Sequence, residues 1–122
     1  MEIALYPTRE QLDALLADPH EGPVVMINLL CFRPGGEAAY RRYADAMRKI
    51  VESRGGRFVW SGRVTGQVVG RGGERVQIVG LVEYPSRRAF VEIATSREVA
   101  EISAHRSEGL EGQWLLASTA ER

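Results

Sequence analysis

Val24-Val25-Met26-Ile27-Asn28-Leu29-Leu30 is the stretch on which the fold turns. It is rich in β-branched and large aliphatic side chains, and both of its parities are apolar. A strand built from it therefore needs cover on both faces. A second stretch behaves the same way. Between Arg75 and Tyr84, Val76, Ile78 and Val82 fall on one parity, and Val79 and Leu81 on the other. From Glu37 to Ser53, between these strands, Tyr40, Tyr43, Ala44, Met47, Ile50 and Val51 recur at helical spacing. Arg41, Arg42, Arg48 and Lys49 sit on the opposite side, and Gly55-Gly56 supplies a glycine stop. The next strand is predicted from Phe58 to about Val64, continuing past Gly66 to Val69 with a bulge or bend. Gly70-Arg71-Gly72-Gly73-Glu74 reads as the hairpin tip that returns the chain to the Arg75–Tyr84 strand.

The pattern extends outward on both sides. Pro85 closes the Arg75–Tyr84 strand, and Ser86 caps a short helix carrying Ala89, Phe90 and Ile93. A capping box, Thr95-Ser96-Arg97-Glu98, restarts a helix through His105, and a last strand covers Gln113 to Ala117. Upstream, Thr8-Arg9-Glu10-Gln11 is a further capping box. It opens a helix striped by Leu12, Leu15 and Leu16 and stopped by Pro19, so residues 8–18 form an N-terminal helical extension. Without that extension the order is β-α-β-β-α-β with the second helix broken. This predicts one α+β domain over residues 1–122: a ferredoxin-like, mostly antiparallel four-stranded sheet with helices on one face. The other face is apolar too, and the chain has no spare element to cover it. A second copy of the same chain is the simplest cover, so a homodimer is expected.

Composition narrows the function classes. The 122 residues carry 16 basic and 16 acidic side chains. No net positive field is present to displace counterions from phosphates, which speaks against nucleic acid as partner. Fifteen of the sixteen basic residues are arginine, and Lys49 is the one lysine; GC-rich codon usage accounts for this as readily as anion recognition does. The longest apolar run, the nine residues Val24 to Phe32, falls far short of the roughly 20 that span a bilayer. No basic segment leads into an apolar stretch at the N-terminus. The single cysteine, Cys31, cannot form an internal disulfide and suits a reducing, cytoplasmic setting.

Several motifs together resemble a known family. Val25-Met26-Ile27-Asn28-Leu29-Leu30, Tyr40-x-x-Tyr43, Gly55-Gly56-Arg57-Phe58, Val82-Glu83-Tyr84-Pro85-Ser86 and Ser96-x-Glu98 stand in the order and spacing of domain of unknown function family 1330, from residue 24 onward. The resemblance implies the dimeric α/β-barrel superfamily, in which two ferredoxin-like sheets close one barrel. That superfamily includes cofactor-free monooxygenases, muconolactone isomerases, chlorite dismutases, dye-decolorising peroxidases and regulatory ligand-binding domains; the family itself has no established activity. The chain departs from the pattern at Glu98-Val99-Ala100, where the family often has Glu-Tyr-Gln, and in its leading helix.

The candidate site residues follow from position. Arg106 shares a helix face with Val99 and Ile102, which places its charge against the sheet, and the resemblance supports an arginine here. A buried guanidinium needs an anion. That anion is either a carboxylate or enolate on a ligand, or an internal partner such as Glu83 or Glu98. Asn28 interrupts an apolar strand opposite the region of Gly80. It either donates to a ligand carbonyl or is satisfied by backbone or by a dimer mate. Trp60, Glu83 and Tyr84 are brought together by the hairpin unless a one-residue slip turns a face. In that cluster Trp60 and Tyr84 would form an apolar wall and Glu83 a proton carrier, or simply an arginine-paired glutamate. His105, near a helix end, is the other candidate base, and an exposed helix-end histidine is the plainer reading. Trp114 and Tyr40 read as core or interface, and Cys31 as a buried inert thiol.

Two histidines and one cysteine give no zinc spacing. No phosphate-binding glycine motif and no Gly-x-Ser-x-Gly elbow occurs. No metal and no cofactor, haem included, is expected. The sequence thus points to a small protein that binds or transforms a hydrophobic, carbonyl- or carboxylate-bearing metabolite, in the manner of the cofactor-free monooxygenases or isomerases. The competing reading is a homodimeric module that binds or assembles without catalysis.

Overall fold

The computed structural model describes residues 2–121. In chain order the elements are α1 (Arg9–Ala17), β1 (Val24–Phe32), α2 (Glu37–Ser53), β2 (Arg57–Arg63), a 3-10 turn (Gly73–Arg75), β3 (Ile78–Tyr84), α3 (Arg87–Ala94), α4 (Arg97–Gly109) and β4 (Leu110–Ser118). The four strands pair antiparallel in the order β2-β3-β1-β4, the ferredoxin-like arrangement. Among the described residues no helix is long and apolar enough to cross a membrane.

Local chemistry sets the boundaries. The predicted capping box at α1 forms in both directions: Gln11 N donates to Thr8 Oγ1 at 3.1 Å and Thr8 N to Gln11 Oε1 at 2.9 Å. Gly55 ends α2 with a positive φ of 85°. α2 and α4 approach so closely that a side chain at Gly36 would fall 2.3 Å from the Gly109 carbonyl oxygen. Several boundaries differ from the sequence reading. β2 stops at Arg63 and β3 begins at Ile78, because Gln67 ties the intervening loop to itself. Its side chain accepts from Gly73 N at 2.7 Å and donates to Val69 O at 3.3 Å, in place of a ladder. The cap of α4 is Ser96, which accepts from Val99 N, since the Thr95 hydroxyl is already donated back to Val91 O. That helix runs on to Gly109 and passes directly into β4.

Register fixes the faces, because residues opposite one another on antiparallel strands point the same way. Val24, Met26, Leu30 and Phe32 of β1 face the helices and are buried, as are Val82 and Tyr84 of β3. The core divides in two. Val24, Met26, Met47, Val51, Val82, Tyr84, Phe90 and Ile93 form one cluster; Leu30, Phe32 and Leu110 form the other. The rung between them is Ser61–Gly80–Asn28–Leu115, where a polar side chain and a missing one interrupt the packing. Ile93 is 1% exposed, so truncating it to alanine would cost about 2–5 kcal/mol.

The opposite face carries Ile27, Leu29, Val79 and Leu81, all only half-buried, with Leu116 and Trp60 exposed at its sides. Trp60 is there because β2 bulges. Phe58 pairs with Val82, the ladder then skips Val59, and Trp60 pairs with Leu81. A regular ladder would have set Trp60 opposite Gly80, facing the helices.

Candidate functional site

A cleft of about 1030 Å³ runs where the core divides, between the helix-facing side of the sheet, the helices and the N-terminal segment, and reaches the open face at Trp60, Leu81, Trp114 and Leu116. β1 contributes Asn28, β3 Gly80 and Tyr84, α2 Tyr40 and Tyr43, and α4 Arg106. The N-terminal segment closes one side. Ala4 pairs with Gln113 at the β4 edge, which sets Leu5 against Leu30, Phe32 and Leu110 and carries Tyr6 over α4.

Arg106 is 8% exposed, and none of the ion pairs among the described residues involves it. Both internal partners that the sequence offered are engaged elsewhere. Glu83 Oε2 accepts from Arg57 Nε at 2.9 Å, and Glu98 pairs with Arg54. The guanidinium carbon instead lies 5.3 Å from the centre of the Tyr6 ring, whose hydroxyl is 3.0 Å from Ser107 Oγ. Burial pushes the phenols of Tyr40, Tyr43 and Tyr84 above their ordinary range, and the charge of Arg106 partly opposes this for Tyr40 and Tyr43. Around Arg106 the cavity thus sets a buried cation beside protonated phenols, groups that favour an anion, while Arg41, Arg48, Arg63 and Arg87 and the carboxylates of Glu2, Asp18, Glu37 and Asp45 lie elsewhere on its lining.

Asn28 pairs with Gly80 as expected. Its Nδ2 donates to Met26 O at 3.3 Å and to Gly80 O at 3.2 Å. Both amide hydrogens are taken, so the expected donation to a ligand carbonyl is not available from this side chain.

The other candidates separate by face. Tyr84 does line the cavity and packs edge-on against Phe90, with centroids 5.0 Å apart. Glu83, one residue earlier, points to the open face by strand alternation, beside Val25 and Arg57. Trp60 lies at the edge of the cavity, but its bulge-shifted rung turns it to the open face, 58% exposed, with its ring over Gly62. The expected cluster of Trp60, Glu83 and Tyr84 therefore does not form. His105 precedes Arg106 on α4 and so points about 100° away from it. It does not line the cavity, and its buried Nδ1 has no hydrogen-bond partner among the described residues. Cys31 is buried on the open face, and burial pushes its thiol up. Among the described residues no cluster of His, Cys, Asp or Glu could hold a metal ion.

Residues 33–120 match the model of the family described as domain of unknown function DUF1330. The chain belongs to this family. The DUF1330 match starts inside the stretch that the motifs had marked from residue 24, so the β1 motif precedes it. The chain is similar to a protein of unknown function from Rhodopseudomonas palustris, 29% identical over 99% of both chains with a TM-score of 0.87. That similarity takes in α1, so the N-terminal extension has a counterpart there. It is also similar to a dimeric ferredoxin-like protein of unknown function from Jannaschia (10% identical, 81% of this chain and 100% of that one, TM-score 0.62). A third similar structure is SnoaB, a cofactor-independent oxygenase from Streptomyces nogalater (12% identical, 83% and 95% covered, TM-score 0.57). The last two show the shared fold alone. No curated protein matches the chain.

Sequence reasoning passed over three of the cavity's polar residues as site members. Tyr40 and Tyr43 read as an apolar helix stripe, and nothing in the order of residues showed that the stripe overlies a gap in the core. Tyr6 carried no signal, because its partners Arg106 and Ser107 lie about a hundred positions away.

Proposed function

We propose that this DUF1330 chain binds a small, largely apolar metabolite bearing a carboxylate or enolate, and does so as a homodimer in the cytoplasm. The observation that carries the reading is Arg106: a buried guanidinium with no ion pair among the described residues, set in a cavity with phenol donors around it. Desolvating such a charge is costly unless a counter-ion enters with the ligand. Apolar walls from both core clusters supply the rest of the affinity. The homodimer rests on the apolar open face, which a second copy would cover. The Jannaschia protein of the same fold is described as dimeric, which agrees with this.

The direct test is thermal denaturation with a panel of aromatic and aliphatic carboxylates. A ligand at one hundred times its Kd should add about 2.7 kcal/mol to the apparent stability. Stabilisation confined to neutral compounds, or retained in full by Arg106→Ala, would refute the assignment.

Turnover in the manner of a cofactor-independent oxygenase or an isomerase is the second reading, favoured by the fold shared with SnoaB. Binding ranks first because the two candidate bases, Glu83 and His105, lie outside the cavity.

A further inference from the structure

We infer that the cavity selects, among anionic ligands, those that also carry a hydroxyl or N–H donor, and that Asn28 Oδ1 together with the notch at Gly80 reads it. The inference rests on the proposed anion-binding function and adds a second recognition point to it.

The argument begins with hydrogen-bond accounting. The Asn28 amide has two hydrogens and two carbonyl partners, Met26 O and Gly80 O. Carbonyl oxygens accept only, so the amide nitrogen must be the end that faces them. The orientation of the side chain is thereby fixed, and Oδ1 is the end left for a ligand. That atom has two acceptor sites and can only receive a hydrogen. A ligand carbonyl or ether placed against it would be repelled, whereas an O–H or N–H would be bound.

Gly80 provides the room. It stands directly opposite Asn28, and a methyl group at its Cα would meet only Asn28 Cβ, at 3.9 Å. Its two neighbours on the same face of β3, Ile78 and Val82, pack into the two separate core clusters. The missing side chain therefore leaves a notch on the same rung as Asn28, at the gap between those clusters. A polar acceptor on a rung that also leaves room for a ligand is how a pocket distinguishes a hydroxylated ligand from its deoxy analogue. The deoxy ligand leaves a desolvated oxygen unpaired.

The test uses isothermal titration with matched pairs: phenylacetate against its three monohydroxy isomers, and cinnamate against its own. At least one hydroxylated member should bind about ten-fold more tightly than its parent. Asn28→Ala should abolish that preference while the parent acid still binds. Gly80→Ala has room to fold and should weaken the hydroxylated member more than its parent by filling the notch. Carboxylates that bind with no hydroxyl preference, or a preference that survives both substitutions, would overturn the inference and leave the anion-binding function standing. Failure of every carboxylate to bind would remove both.

Discussion

Arg57 holds Glu83 at 2.9 Å on the face of the sheet turned away from the helices, so Glu83 is not available to neutralise Arg106. Among the described residues no carboxylate pairs with the buried arginine. Arg106→Met keeps the length of the side chain and removes that charge. The variant should be at least as stable as the parent in urea, by about 1 kcal/mol or more, because no buried carboxylate is left behind. It should also lose stabilisation by carboxylates. Arg106→Lys should retain part of the binding, since a point charge replaces the fork. A loss of about 3–5 kcal/mol in the methionine variant would instead reveal an internal ion pair.

Ile78 and Val79 are adjacent, and strand alternation sends them to different fates. Ile78 packs on Leu30, Phe32 and Leu110, whereas Val79 shares the open-face rung with Leu29 and Gly62. Ile78→Glu should unfold the chain by burying an unpaired charge in the core. Val79→Glu should leave the monomer folded and separate the copies, halving the mass in sedimentation equilibrium at micromolar concentration. A parent that already sediments as a monomer at that concentration counts against the homodimer.

How far the sequence could be read follows the same alternation. The order of elements was legible because each rests on local signals: the Thr8 cap, the helical stripe from Tyr40 to Val51, the proline after Tyr84. The pairing of Asn28 with Gly80 was legible because β1 and β3 are regular. Trp60 was misplaced because one residue, Val59, is squeezed out of the ladder, and a bulge reverses every face assignment beyond it. The division of the core was hidden for another reason. It depends on which side chains fail to meet across the sheet and helices, and a linear sequence records no such gap.

Tyr6 joins the N-terminal segment to the site through its ring over Arg106 and its hydroxyl on Ser107. α1 has no buried residue of its own, so it is held by a few contacts: Leu15 against the core and Asp18 paired with Arg87 at 3.4 Å. Tyr6→Ala should therefore cost little global stability, about 0.5–1 kcal/mol for the lost cation–π contact. It should sharply increase proteolytic cleavage within residues 2–18 and weaken carboxylate binding. Tyr6→Phe keeps the ring and should behave nearly as the parent. Unchanged protease sensitivity in the alanine variant would show that the segment is anchored independently of Tyr6.

The phenols give a signature at high pH. Burial raises the folded-state pKa of Tyr40, Tyr43 and Tyr84 above the ordinary value of 10.0, and Tyr43 and Arg106 modulate the shift at Tyr40. A raised value means that the folded chain keeps protons which the unfolded chain has begun to lose. The stabilising effect is therefore complete below pH 10 and declines as the pH climbs above it, by about 1.4 kcal/mol per pH unit for each phenol still protonated. Spectrophotometric titration at alkaline pH should show these three tyrosines ionising together with loss of the folded circular dichroism signal. Replacing Tyr43 with phenylalanine should make the alkaline limb of the stability curve shallower, since one proton fewer is then linked to unfolding. Ionisation of all tyrosines near pH 10 in a chain that stays folded would mean that water reaches the phenols freely. In that case the cavity would not be the desolvated, donor-lined space on which anion binding depends.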